Sequence, residues 1–333
     1  MNYKNYPRRH YLQYPTPIEH LPQLSNYLGC GVEIFVKRDD LLPGAAGGNK
    51  TRKLEFLVAD ALKEGADTLI TCGSMQSNHC RLTASWAVKE GLDCHLILKS
   101  GSESSYKEDN TSGNYFLNKL LGAKIGDIVH ANSDLDSLMI DKADLLKQEG
   151  KRPYIIPIGG SNSIGTIGYV ACAEETIAQL RAMKLDINHI VIPSGSAGTQ
   201  AGIIAGMTHI NDNIQVHGIN VSRKKIEQEN LVLNLANETA GKLGYSDKIP
   251  KDFVTCYDEY VGEGYAIPTK EMIETVKLFA RLEGLLLDPV YSGKAAAGML
   301  DLIKQGKFKK GSKILFFHTG GVPALYSYMN CWK

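Results

Sequence analysis

Residue 50 is a lysine set just behind a pair of glycines, in Gly47-Gly48-Asn49-Lys50-Thr51-Arg52-Lys53-Leu54-Glu55-Phe56. Glycines permit a tight turn. The apolar spacing that follows, at Leu54, Leu57, Val58, Ala61 and Leu62, has a helical period. The turn therefore delivers an amine to the start of a helix. A second segment, Ile190-Val191-Ile192-Pro193-Ser194-Gly195-Ser196-Ala197-Gly198-Thr199, reads as a β-branched strand, a small-residue loop and then a helix from Gln200 to Met207. Backbone N–H groups at such a helix start suit a phosphate dianion. A lysine able to form an imine and a separate phosphate cradle match the aldehyde and the phosphate at opposite ends of pyridoxal phosphate.

Two other readings of Lys50 compete. A nucleotide-binding P-loop needs glycine directly before the lysine, and Asn49 stands there instead. A solvated lysine at a helix start is the ordinary fate of this residue type. Further segments weigh against that reading. Thr71-Cys72-Gly73-Ser74-Met75-Gln76-Ser77-Asn78-His79-Cys80-Arg81 is another polar turn between a short apolar run and a helical pattern. Late in the chain come Leu285-Leu286-Leu287-Asp288-Pro289-Val290-Tyr291-Ser292-Gly293-Lys294 and, after the strand Ile314-Leu315-Phe316-Phe317, the loop His318-Thr319-Gly320-Gly321. In open parallel sheets ligands gather beyond the carboxyl ends of the strands, so these loops can converge on one crevice.

Taken in order, GGNKTRKLEF, QSNH, SGSAGT, LDPVYSGK and HTGG resemble the fold-type-II pyridoxal-phosphate enzymes. The likeness is to the branch containing D-cysteine desulfhydrase, L-cysteate sulfo-lyase and 1-aminocyclopropane-1-carboxylate deaminase, and it runs from Pro15-Thr16-Pro17 to Pro323-Ala324-Leu325. The resemblance implies that Lys50 carries the cofactor covalently; burial and nearby positive charge make its amine one candidate carrier of the substrate α-proton, and Ser77 is the other. Ser196, Ala197, Gly198 and Thr199 would cradle the phosphate, with Lys53 as an added charge. Ser77 and Asn78 would meet the substrate carboxylate and the cofactor's ring hydroxyl, with Gln76, His79 and Thr319 in the same substrate-binding group. Ser77 also suits a helix N-cap. Tyr265 and Tyr291 match tyrosines of the deaminase site, although aromatic packing would equally account for them.

Ser292 occupies a place where the deaminase branch typically has glutamate. A hydroxyl supports a proton on the pyridine nitrogen much less than a carboxylate does. On that basis α,β-elimination is expected over ring opening. D-Cysteine losing hydrosulfide leads, followed by L-cysteate losing sulfite and then by ring-opening deamination. A non-catalytic small-molecule binder on the same fold is the reading from another class; it would dispense with Lys50.

Composition suits an enzyme of small molecules. The 333 residues are 43% hydrophobic, and 37 basic residues nearly cancel 36 acidic ones. Nothing in that balance points to a nucleic-acid or membrane partner. No signal-like or membrane-spanning run is evident, so a cytoplasmic location is expected. Seven scattered cysteines form no disulfide framework, and Cys72 and Cys80 read as small buried thiols rather than metal ligands. No metal is expected.

Strands at Glu33–Lys37, near Leu69 and at His95–Leu98 alternate with helices, including Phe116–Leu121 and Ile273–Leu282; a polar loop spans Ser100–Ser112. This alternation predicts an α/β protein with parallel sheets. The resemblance implies two open, mainly parallel twisted-sheet domains with helices on both faces, as in the tryptophan synthase β fold. The smaller domain is expected at 50–160, and the larger, cofactor-binding one at 1–49 and 161–333. The resemblance also implies a homodimer acting on a small amino acid.

Overall fold

The computed structural model describes residues 2–100, 111–210, 212–245 and 248–332. Residues 101–110 of the expected polar loop lie outside them. Six strands form one sheet in the order β1 (Ile18–His20), β2 (Glu33–Lys37), β10 (Lys313–Phe317), β7 (His189–Ser194), β8 (Gln215–Asn220), β9 (Thr255–Tyr257). Only the β1–β2 pairing is antiparallel. Four strands form a second, wholly parallel sheet: β5 (Lys124–Ile125), β4 (Asp93–Lys99), β3 (Thr68–Ser74), β6 (Pro153–Ile155).

Successive side chains on a strand point to opposite faces, and the central strands bury both. In β10, Leu315 and Phe317 enter one core while Ile314 and Phe316 enter another; β2 separates Phe35 from Ile34 and Val36 in the same way. Helices α6 (Ser163–Met183), α7 (Gly198–Ile210) and α8 (Lys225–Lys242) complete the first core. Helices α1 (Pro22–Leu28), α9 (Lys270–Glu283) and α10 (Ser292–Lys304) complete the second. Burial on both faces explains why these strands read as unbroken apolar runs.

In the smaller sheet, Leu69, Leu96 and Leu98 face α2 (Lys50–Lys63) and α3 (Asn78–Lys89). Ile70 and Cys72 face α5 (Leu135–Gln148) on the other side. Helix α4 (Gly113–Leu120) packs on α3 and on α11 (Val322–Ser327). The molecule is thus an α/β protein of two parallel-dominated sheets with helices on both faces.

Helix α2 is the seam between the two cores. Its Leu54, Leu57 and Val58 pack on the smaller sheet, whereas Phe56 belongs to the core around α6. Beneath it, fully buried Arg52 donates to Asp39 at 2.9 Å and to Glu175 at 2.8 Å. Lys37 reaches the same Glu175 at 2.5 Å. The carboxyl ends of strands from both sheets open beside this seam on one cavity of about 250 Å³, walled by Ser74, Lys99 and Ser194 at strand ends. Strand β7, with β10 on one side and β8 on the other, ends at that cavity, the location expected for a ligand in an open parallel sheet.

Candidate active site

The glycine turn is built by necessity. A Cβ at Gly47, where φ is +68°, would lie 2.2 Å from the Asp40 carbonyl oxygen. Asn49 N–H donates to the Thr319 carbonyl at 3.0 Å, which pins the turn to the His318–Gly321 loop. Lys50 follows as the first residue of α2 and lines the cavity. Burial lowers its amine to a pKa of about 8, against the opposing pull of the Asp288 carboxylate.

The loop expected to seat a phosphate joins β7 to α7. Strand β7 ends at Ser194, Ala197 takes a left-handed φ of +68°, and α7 begins at Gly198, two residues earlier than its apolar pattern suggests. First-turn amides of a helix have no partner inside it. Among the described residues, the N–H groups of Ala197 and Thr199 find no acceptor in the chain. A Cβ on Gly198 would sit 2.7 Å from both Lys53 Nζ and Ser161 Oγ. Buried Lys53 donates to the Gly159 carbonyl at 3.0 Å and to Ser161 Oγ at 2.8 Å, so it lies under the loop rather than on the wall. Ser161 Oγ donates to Ser196 Oγ at 2.8 Å, and Asn49 Nδ2 to Thr199 Oγ1 at 3.1 Å. Burial, and then Lys50, push the Lys53 amine well below its ordinary pKa.

The residues present fit pyridoxal phosphate. Open amides at a helix start and a lysine amine share one cavity, and no aspartate or glutamate lines it among the described residues. No group of side chains suited to a metal ion is found among those residues.

The third loop divides its four expected residues. Ser77 caps α3, its Oγ accepting from Cys80 N–H at 3.1 Å, and it lines the cavity together with Asn78 and His79. Thr71 Oγ1 donates to the Ile156 carbonyl at 2.8 Å, so it must accept from His79 Nε2, also at 2.8 Å. Burial, with Lys50 and Lys53 nearby, pushes the imidazole well below its usual pKa, so it is neutral. Gln76 turns away from the cavity. Its Oε1 accepts from Asn114 N–H at 2.8 Å and its Nε2 donates to the Ser112 carbonyl at 3.2 Å, anchoring the start of α4.

Tyr265, Tyr291 and Thr319 also line the cavity, and the two tyrosine hydroxyls are 2.5 Å apart. Burial, reinforced by Tyr265, holds the Tyr291 hydroxyl well above its usual pKa. Ser292 requires a correction: it is fully buried and is not part of the cavity wall. Its Oγ donates to Asp288 Oδ1 at 2.6 Å and accepts from Asp288 N–H at 2.8 Å. The reason is local. Ser292 opens α10, and Asp288, four residues earlier, collects the Val290, Tyr291 and Ser292 amides at that end. Cys72 and Cys80 are buried thiols, Cys80 pushed up to about 12 by burial.

Several residues at the site went unread in the sequence. Lys99 and Arg223 add two basic side chains to the wall. Lys99 ends β4 and Arg223 follows β8 closely, and position after a strand is the only signal they carry. Arg81 and Asp288 stood inside segments already singled out, but nothing in the spacing revealed their partners.

Such a site, with a lysine amine and open helix-start amides on one cavity at the strand ends of two parallel-dominated sheets, suits a cofactor-dependent enzyme. The chain belongs to the family of pyridoxal-phosphate dependent enzymes, whose profile matches residues 10–320, and its cofactor is pyridoxal phosphate. A solved structure described as the ACC deaminase homologue is similar over 99% of this chain and 96% of that one, with 37% identity and a TM-score of 0.88. O-ureido-L-serine synthase shares the fold at 18% identity and a TM-score of 0.64, over 94% and 92% of the two chains.

Proposed function

We propose that the protein catalyses α,β-elimination from a small sulfur amino acid, releasing pyruvate and ammonia, with D-cysteine losing hydrosulfide as the leading reaction. The observation that carries this reading is the cavity itself, where Lys50 and the open amides of Ala197 and Thr199 meet with no acidic side chain among the described residues of the wall. Lys50 is brought to about 8, whereas His79 is held well below and Tyr291 well above their ordinary values. Of these three, Lys50 is the group suited to take a proton near neutral pH. Bound pyridoxal phosphate supplies a conjugated ring that accepts the electron pair left when the α C–H bond breaks. Lys50 would hold the cofactor and move the α-proton. The open amides of Ala197 and Thr199, in the loop of residues 196–199, would hold the phosphate, with Lys53 supporting the loop from below. Ser77 and Asn78 would orient the substrate carboxylate and the ring oxygen, and Thr319 would bound the substrate opposite them. The absence of an acidic side chain from the described wall fits elimination of a sulfur group better than ring opening, which remains the reading suggested by the ACC deaminase homologue.

L-Cysteate losing sulfite is the second reading, favoured by Lys99 and Arg223 on the wall, since a sulfonate's three oxygens need several donors. The same proposal takes the two sheets as cores of two domains, 50–160 and the remainder, in a cytoplasmic homodimer; sedimentation analysis tests the dimer. The reaction is tested by incubating the holoenzyme with D-cysteine, L-cysteine, L-cysteate and 1-aminocyclopropane-1-carboxylate and measuring sulfide, sulfite, pyruvate and 2-oxobutanoate. Sulfide with pyruvate from D-cysteine is expected. Efficient 2-oxobutanoate formation without pyruvate from any sulfur substrate would overturn the proposal.

A further inference from the structure

Arg81 is fully buried, yet none of its hydrogen-bond partners is an anion. Its Nη1 donates to the Ala45 carbonyl, Nη2 to the Gly47 carbonyl at 2.9 Å and more weakly to Asn78 Oδ1 at 3.4 Å, and Nε to Asn114 Oδ1 at 2.6 Å. A buried cation without a counter-ion is costly, and a guanidinium cannot escape by losing its proton. Burial alone pulls its pKa down to about 9, which leaves the group charged at neutral pH. Its contacts must therefore serve a purpose that an apolar side chain could not.

These contacts settle the direction of two amides in turn. A guanidinium only donates, so the Asn114 atom facing Arg81 Nε is the oxygen, and the opposite end of Asn114 is its NH2 group. That NH2 group donates to the Gln76 carbonyl and to Asn78 Oδ1, each at 2.9 Å. The Asn78 oxygen thus receives N–H groups from both Asn114 and Arg81. Its Nδ2 has no acceptor among the described residues, and Asn78 lines the cavity. The donor chain is held at its far end as well. The Asn114 backbone N–H is bonded to Gln76 Oε1, and a Cβ at Gly113 would lie 2.5 Å from that oxygen.

We propose that Arg81 and Asn114 are positioning residues that lock Asn78 with its NH2 group toward the cavity and tie it to the glycine turn that carries Lys50. Asn78 is then obliged to donate, and the ligand atom it meets must be an acceptor; the ionised ring oxygen of pyridoxal phosphate is that atom. This assignment does not depend on which amino acid is the substrate.

The decisive variant is Asn114→Asp. Aspartate cannot donate to Asn78, so the Asn78 amide turns over and presents its oxygen to the cavity, while Arg81 gains a counter-ion. Fold stability and cofactor environment are thereby pushed in opposite directions. The expected result is a thermal midpoint equal to or above wild type, with cofactor binding at least about tenfold weaker. The pH midpoint of the holoenzyme's visible absorption band should rise by about one unit or more. Asn114→Ala, which removes the donor without adding charge, should move both quantities in the same direction by less and serves as the test if the aspartate variant does not fold. A cofactor affinity and band midpoint unchanged from wild type in either folded variant would overturn the proposal. So would weakening that merely tracks a loss of thermal stability, with the band midpoint unmoved.

Discussion

Lys50 stands where a cation is least welcome, at the positive end of a helix and deep in the protein. Asp288 opposes these effects, and the amine is left at about 8. About a tenth of it is then neutral at pH 7 and about nine-tenths at pH 9. Capture of pyridoxal phosphate by the cofactor-free protein, followed by absorbance, should accelerate across that interval. Borohydride reduction and peptide mass analysis should place the pyridoxyl mass on Lys50; a label found consistently on another lysine would refute the assignment. Lys50→Ala should lose turnover by about 10³-fold or more. Ser292 makes a different kind of prediction. Ser292→Ala removes the hydroxyl between the Asp288 amide and carboxylate and should cost about 1–3 kcal/mol in urea unfolding. Ser292→Glu buries a second carboxylate beside Asp288 and should cost more. A glutamate variant as stable as wild type would mean that residue 292 is free to face the cavity.

Among the elements, the start of α7 is the one proposed to hold the cofactor's phosphate. Valine at Gly198 would meet Lys53 Nζ and Ser161 Oγ within 2.7 Å of its Cβ, and these groups hold the loop from below. Gly198→Val should raise the cofactor dissociation constant at least about tenfold in a fluorescence titration. Thr199→Ala should do less, because it loses the contact from Asn49 Nδ2 but leaves the backbone amides in place. Equal losses in the two variants would shift the burden from the loop backbone to the threonine hydroxyl. Helix α3 shows why element and site are inseparable. Its N-cap, Ser77, is on the cavity wall, so the hydrogen bond that begins the helix also places a polar group at the site.

At the scale of the molecule, the charged layer beneath α2 joins the N-terminal segment, the seam helix and α6. Burial would raise the Asp39 and Glu175 carboxyls, but Arg52 above all, with Lys37, holds both below their ordinary range. A carboxylate depressed in the folded state stabilises the protein above its unfolded pKa, near 4. That contribution is lost as pH falls through the folded value. Arg52→Met should cost about 3–5 kcal/mol at pH 7, because Asp39 is left buried without its partner. The gap between variant and wild type should narrow as the solution is acidified from pH 5 to pH 3. Urea unfolding at several pH values measures both effects, and a gap independent of pH would show that the network carries no linked protons.

Local chemistry made much of this legible from the sequence alone. The runs Ile190–Ile192 and Ile314–Phe317 are strands buried on both faces, the glycine turn before Lys50 admits few backbones, and Ser77 is a cap wherever α3 begins. Each depends on neighbours a few residues away, so spacing was enough. The orientation of side chains was not available in that way. Gln76 and Asn78 are two positions apart in one motif, yet one anchors α4 and the other faces the cavity, because Asn114 arrives from a distant helix to bond them both. Ser292 could bond to a ligand or to Asp288, and only the folded start of α10 decides in favour of Asp288. Lys99 and Arg223 share a wall because two sheets bring their strand ends together. Residue types and backbone periodicity set the chemistry available to this protein. Long-range packing decided which donors are already satisfied within the chain and which are left for a ligand.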